Sequence, residues 1–281
     1  MRTNAGRLIV TLLITAVPTI PAFGQSPRGT GFVRILLPVA IQGEVFGALG
    51  SRWTTRVAIT NSAAAPVDIL GYDWSAYGCV NVCAEPPLTP PGVTFFPLVV
   101  PGTRTQGAIL LVEPSHASDV DIDLRIQDVS RQSQTWGTEL PVIAESGLFQ
   151  RPFQMLNIPL GSDFRDMLRL YDVDAHEGAT VRLRFFAVNP NTIVPFKFAG
   201  PQPQLDVPLL ERIVTLQTER RPGSPLFDLA YAEVPLNSLF EIQGQDRVRI
   251  EVAPLTPGLR LWGFVSVTNN QTQHVTTVTP Q

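Results

Sequence analysis

Charge is scarce in this chain. Only 16% of its 281 residues are charged, and 21 basic residues nearly balance 24 acidic ones. Such a surface offers no field to hold nucleic acid or an anionic membrane. Histidine is rarer still: His116, His176 and His274 are the only three, and they share no motif. The chain has no Gly-x-Ser-x-Gly elbow, no His-Glu-x-x-His pair and no phosphate-cradling glycine loop. A glycosidase needs only two facing carboxylates. Glu113, Glu139, Glu233 and Glu241 are available for that, but nothing selects a pair. The expectation is a protein that is not an enzyme and carries no cofactor.

Cysteine is limited to Cys79 and Cys83. Zinc wants four ligands, and no second cysteine or histidine pair supplies the others. In an exported chain two cysteines in one loop most simply form a disulfide. A strand would hold them about 13 Å apart, at roughly 3.3 Å per residue. A bridge needs Cα atoms about 4.4–6.8 Å apart. The bridged loop must therefore turn sharply, as Gly78 and Asn81 permit. Around it, Glu85-Pro86-Pro87-Leu88-Thr89-Pro90-Pro91-Gly92 is too rich in proline for a central strand.

Long apolar runs are missing as well. The longest near the start, Leu8 to Val17, is shorter than the roughly 20 residues a membrane span requires. Arg2 and Arg7 precede it, Pro18 and Pro21 end it, and Ala22-Phe23-Gly24 offers small residues for cleavage. That is the layout of a secretory signal. Residues 1–24 are expected to be a cleaved signal peptide and 25–31 a loose leader, with the mature chain secreted or periplasmic.

What the chain does have is apolar content, 44%, cut into short pieces by 26 prolines and 21 glycines. Many short apolar segments with turn-formers between them predict an all-β sandwich. One segment occurs twice. Gly50-Ser51-Arg52-Trp53-Thr54-Thr55-Arg56-Val57-Ala58-Ile59-Thr60-Asn61 returns, altered, as Gly161 to Asp172, 111 positions on. Trp53, Val57 and Ile59 fall at the same parity as Phe164, Leu168 and Leu170. Period-two alternation of this kind is what a strand with one buried face needs. We therefore read two tandem antiparallel β-sandwich domains, residues 32–143 and 153–281, with 144–152 as linker. Trp53 is assigned to the core. Val67, Ile69 and Gly71 are expected to pair with the Trp53–Asn61 strand as a hairpin, since the connection is short. A second hairpin is expected around Asn269-Asn270-Gln271-Thr272.

Two loops are candidate ligand sites. Tyr72, Trp74 and Tyr77 cluster beside the cysteines and form an aromatic surface suited to stacking on a glycan; Trp262, on the last hairpin, is a further candidate. Asp172-Val173-Asp174-Ala175-His176-Glu177-Gly178 alternates carboxylates, which can collect calcium. Half of the calcium-loop ligand set is missing, so Asp172 and Asp174 remain weak calcium candidates and no metal is expected. Asp119, Asp121 and Asp123 read as a solvated strand face.

Several pieces resemble the uncharacterised secreted bacterial proteins built of tandem Ig-like β-sandwich domains. They are Pro38-Val39-Ala40, Gly47 to Gly50, Ser51-Arg52-Trp53-Thr54-Thr55, Asn61, Trp136-Gly137-Thr138 ahead of Pro141, and Val265 to Thr272. The resemblance implies Ig-like sandwiches and an export route. It implies no activity, catalytic residue or cofactor. The expected function is a non-catalytic extracytoplasmic interaction or structural module, with an unknown protein or glycan as partner. The alternative is a carbohydrate-binding module or hydrolase accessory domain using Tyr72, Trp74 and Tyr77.

Overall fold

The computed structural model of the chain describes residues 31–67, 69–71, 83–84, 92–95, 103–131, 136–188, 207–220 and 227–281. Their regular structure is antiparallel strand with short 3-10 turns between. The first six strands are β1 (Val33–Leu37), β2 (Ala40–Gln42), β3 (Val45–Phe46), β4 (Arg52–Asn61), β5 (Ile69–Gly71) and β6 (Cys83–Ala84). Then come β7 (Gly92–Phe95), β8 (Thr103–Thr105), β9 (Ala108–Val112), β10 (Val120–Asp128), β11 (Thr138–Leu140) and β12 (Ile143–Ala144). The second half opens with β13 (Phe153–Pro159), β14 (Phe164–Asp172), β15 (Thr180–Ala187), β16 (Leu210–Thr215) and β17 (Gln217–Glu219). It ends with β18 (Leu229–Pro235), β19 (Arg247–Pro254), β20 (Trp262–Asn269) and β21 (Val275–Val278).

These strands make four main sheets. Sheet I runs β11-β10-β4-β3, with β7 also on β4, and sheet II runs β12-β1-β9-β5-β6. Sheet III runs β17-β18-β14-β20-β21 and sheet IV runs β13-β19-β15-β16. The order β1-β9-β5-β6 in sheet II is repeated by β13-β19-β15-β16 in sheet IV. Likewise β11-β10-β4-β7 in sheet I is repeated by β21-β20-β14-β18 in sheet III. The twice-used segment forms β4 and β14, and each lies inside its sheet with partners on both sides.

Within each half the two sheets pack face to face. Val57, Ile59 and Leu124 of sheet I meet Ile35, Leu37 and Leu110 of sheet II in one core. Leu168, Leu170, Val265 and Val267 of sheet III meet Val181, Leu183, Val248 and Ile250 of sheet IV in another. Sheet II is buried on both faces, because Leu36, Ile109 and Leu111 on its second face pack against the second half. Tyr171, Leu229, Trp262 and Phe264 of sheet III complete that core. The sheets thus stack in the order I, II, III, IV. This is why β9 is continuously apolar rather than alternating, and why β1 is so apart from the buried Arg34. Each such side chain is worth roughly 1.5–3 kcal/mol when fully buried, so the halves are joined through packed core. Gly107 marks a close approach: a Cβ there would stand 2.7 Å from Leu229 Cδ2 and 3.4 Å from Tyr171 Cε1.

Residues 144–152 are well engaged. Glu145–Gly147 is a 3-10 turn, Leu148 is buried, and Phe149 exchanges two 2.8 Å backbone hydrogen bonds with Leu261.

Two local expectations need correction. The hairpin between the Trp53–Asn61 strand and its successor does not form: β4 belongs to sheet I and β5 to sheet II. Asn61 turns the chain instead, accepting the Ala63 amide at 2.8 Å and donating to the Ala65 carbonyl at 3.0 Å, which carries it across the sandwich. Connection length alone does not separate a hairpin from a crossing of this kind. The step from β14 to β15 crosses in the same way, from sheet III to sheet IV. Trp53 is the second correction. Val57 and Ile59 are buried as expected, but Trp53 is half-buried and lines a cavity. The hairpin around Asn269–Thr272 is present, with Thr268 opposite Val275.

Candidate binding cavity

Strand β1 ends at Leu37, so sheet II stops short of the end of the stack. Beyond it the inner face of sheet I and the outer face of sheet III are left looking at each other across a cavity of about 770 Å³. This falls within the range of small-molecule sites. Trp53, Ile126 and Leu140 line it from sheet I, and Arg165, Met167, Arg169 and Phe264 from sheet III. Val39, Ile41 and the Val45–Ala48 turn close the side. The Thr138 hydroxyl donates to the Val275 carbonyl at 2.8 Å and ties the edges of sheets I and III together.

The Trp53 indole is fixed from below. Its Nε1–H donates to Ser51 Oγ at 2.8 Å, and the Ser51 hydroxyl donates to the Ala48 carbonyl at 2.7 Å. Gly47 makes room for this, since a Cβ there would run into both the indole and the serine hydroxyl. Phe46, at the rim, is 88% exposed, an unusual place for an aromatic ring unless something covers it.

Two arginines supply the polar side. Arg169 is neutralised: its Nε donates to Glu233 at 2.9 Å, its Nη1 donates to the Ser266 hydroxyl at 2.7 Å, and its guanidinium lies 5.7 Å from the Phe264 ring centre. Arg165 is not. Its Nη1 and Nη2 donate to neutral amide oxygens, Asn270 Oδ1 at 2.9 Å and Gln273 Oε1 at 2.6 Å. No carboxylate among the described residues pairs with it. Burial, and then the nearby Arg131 charge, lower its pKa from the ordinary arginine value. Gln273 is fully buried and held in turn by the Asn270 carbonyl at 2.7 Å, so the turn between β20 and β21 sets the guanidinium in place. Thr268 is the cross-strand partner of Arg165 and shares its face.

Strand alternation puts the Asp166 side chain on the opposite face from Arg165, across from Val267 of the second core, while the residue still borders the cavity. It is buried, and neither carboxylate oxygen has a partner among the described residues. Burial pushes its pKa up to about 7. Its backbone amide donates to Asn237 Oδ1 at 2.7 Å.

Asp172, Asp174 and His176 do come together, with donor atoms within 4.8 Å of one another. Their oxygens are already engaged by protein donors, however. Asp172 is fully buried and accepts the Asp174 amide at 2.9 Å, the His176 amide at 2.8 Å and a contact from His176 Nδ1 at 2.9 Å. Asp174 accepts Arg34 Nη2 at 2.6 Å and Arg260 Nε at 2.8 Å. Burial raises the Asp174 pKa, but hydrogen bonds from Arg260 and Arg34 outweigh it and bring the carboxyl to about 2. Arg34, itself buried, also reaches Glu145 at 2.8 Å and the Val173 carbonyl at 2.9 Å. A calcium ion would have to displace two guanidinium groups. The cluster is built as a brace between the halves.

Tyr72, Trp74, Tyr77 and Cys79 lie outside the described residues, and of Cys83 only the backbone, in β6, is described. Trp262 is not a surface platform: it is buried and stacks between Tyr171 and Phe264, ring centres 6.3 and 5.6 Å away. Asp121 is exposed, while Asp123 accepts Arg125 Nε at 2.8 Å and Asp119 lies 3.3 Å from His116 Nδ1. The cavity and Arg165 were not foreseen. Their only sequence signal is that Arg165, Met167 and Arg169 share the parity of a solvated face, and that face of β14 is covered by the first half.

No family model, no curated protein and no solved structure matches this chain.

Proposed function

We propose that the chain is a non-catalytic extracytoplasmic interaction module, exported through the signal at residues 1–24, and that it works by binding. The observation that carries this reading is the cavity between sheets I and III: mostly apolar, framed by rigid strands, with oriented polar groups along one wall. None of the three histidines lines it. His116 and His176 are occupied with Asp119 and Asp172. Binding in the cavity engages the ends of strands rather than Tyr72, Trp74 and Tyr77. The test is a thermal-shift screen of the mature protein against small amphiphiles and soluble glycans, with ester and glycoside substrates in parallel. Stabilisation by a ligand without turnover is the expected result. Turnover on either substrate panel would overturn the non-catalytic reading.

A further inference from the structure

We propose that the cavity takes an anionic amphiphile, its acid group on Arg165 and Thr268 and its hydrocarbon tail between Trp53 and Phe264. This rests on the binding-module reading and names the ligand class for the same cavity. Three observations carry it.

The first is charge. Arg165 is a partly buried guanidinium held, among the described residues, only by neutral amide oxygens, Asn270 Oδ1 and Gln273 Oε1. Of its five N–H donors two are used; Nε–H and the second hydrogen on each Nη have no partner among the described residues. A carboxylate or sulfonate oxygen pair fits that fork. Arg169, four residues along, shows the contrasting case of a guanidinium already matched by Glu233.

The second is position. Arg165 and Thr268 are opposite each other across β14 and β20, so guanidinium and hydroxyl stand side by side at one end of the cavity. The Thr268 hydroxyl has no partner among the described residues and is free to donate.

The third is the rest of the lining. Away from this corner the wall from the first half, Val39, Ile41, Trp53, Ile126 and Leu140, is aliphatic and aromatic, the remaining polar lining is confined to the wall from the second half, and Phe46 stands exposed at the mouth. A sugar would leave the hydroxyls on its first-half side unpaired, at a desolvation cost, whereas an alkyl chain against that wall gains by leaving water.

The experiment is titration calorimetry of the mature protein with sodium decanoate below its micelle concentration. Uncharged octyl glucoside and the short anion glucuronate are the comparisons. Decanoate is expected to bind and the other two to bind at least tenfold more weakly. Arg165→Gln should weaken decanoate roughly ten- to a hundredfold, as expected for losing a charge-assisted pair, and Arg165→Lys should restore part of it. Ile126→Trp, which fills the cavity and leaves Arg165 in place, should abolish binding, with circular dichroism confirming that each variant is folded. Absence of decanoate binding at millimolar concentration overturns the assignment and leaves the module reading standing. So does equal binding of octyl glucoside, or stronger binding of glucuronate. Hydrolysis of p-nitrophenyl decanoate that decanoate blocks would overturn the module reading, and this assignment with it.

Discussion

Asn61 and Asp172 do the same work in the two halves. Each is the last residue of its central strand, each is buried, and each accepts the amide two residues on, Ala63 at 2.8 Å and Asp174 at 2.9 Å. They differ at the fourth residue. Asn61 donates to the Ala65 carbonyl, while Asp172 accepts from the His176 amide. One turn presents an acceptor and the other a donor, and an amide suits the first as a carboxylate suits the second.

That difference predicts the cost of exchange. Asp172→Asn should destabilise the protein by about 1–3 kcal/mol, because one amide N–H must face another or lose its partner. Asn61→Asp should cost a similar amount by setting a carboxylate against the Ala65 carbonyl. Urea unfolding of both variants tests this; an unchanged midpoint in either would contradict the described turn.

Asp166 makes stability fall as pH rises. Its folded pKa, about 7, lies above the ordinary carboxylate value. Below about pH 4 the carboxyl is protonated in both states and costs nothing extra. Between pH 4 and 7 the unfolded chain ionises first, and the penalty grows to the order of 4 kcal/mol. Compared with wild type, Asp166→Asn should therefore gain stability steadily from pH 4 to pH 7 and hold that gain at pH 8. Parallel denaturation curves at these pH values measure the gain, and a flat difference would show that the carboxyl is not held neutral.

The brace at Asp174 has the opposite sign. Its folded pKa, about 2, lies below the unfolded value, so its contribution is present above pH 4 and is lost as pH falls toward 2. Asp174→Asn should cost about 2–3 kcal/mol at pH 7 and less at pH 3. Guanidinium chloride, being ionic, would screen the outer part of the brace, so urea is the denaturant of choice.

Gly107 tests the contact between the halves. Gly107→Val would push against Leu229 and Tyr171 across the junction of sheets II and III. A loss of about 1–3 kcal/mol is expected from overpacking. Shared core also predicts that the halves unfold together, in one transition by both tryptophan fluorescence and circular dichroism.

Much of the architecture was legible in the order of residues. Val57, Ile59, Leu168 and Leu170 are buried at the parity that alternation assigns them, and the closing hairpin lies where Asn269–Thr272 places it. The candidate site was hardly legible. Arg165 and Met167 look solvated on β14, and Trp53 looks buried on β4; the cavity places all of them on its walls. Asp172 and Asp174 look like cation ligands because sequence shows their spacing but not Arg34, which comes from 140 positions away to hold Asp174.

By itself the sequence determined an all-β chain with one strand pattern used twice, because alternation and proline or glycine stops act on the backbone within a few residues. Only the tertiary structure decided that the short turn after Asn61 crosses between sheets, that sheet II is covered on both faces, and that its early end leaves a cavity beside Arg165. Local periodicity tells which side chains share a face. What covers that face depends on contacts between residues far apart in the chain, and these are settled only when the sheets pack.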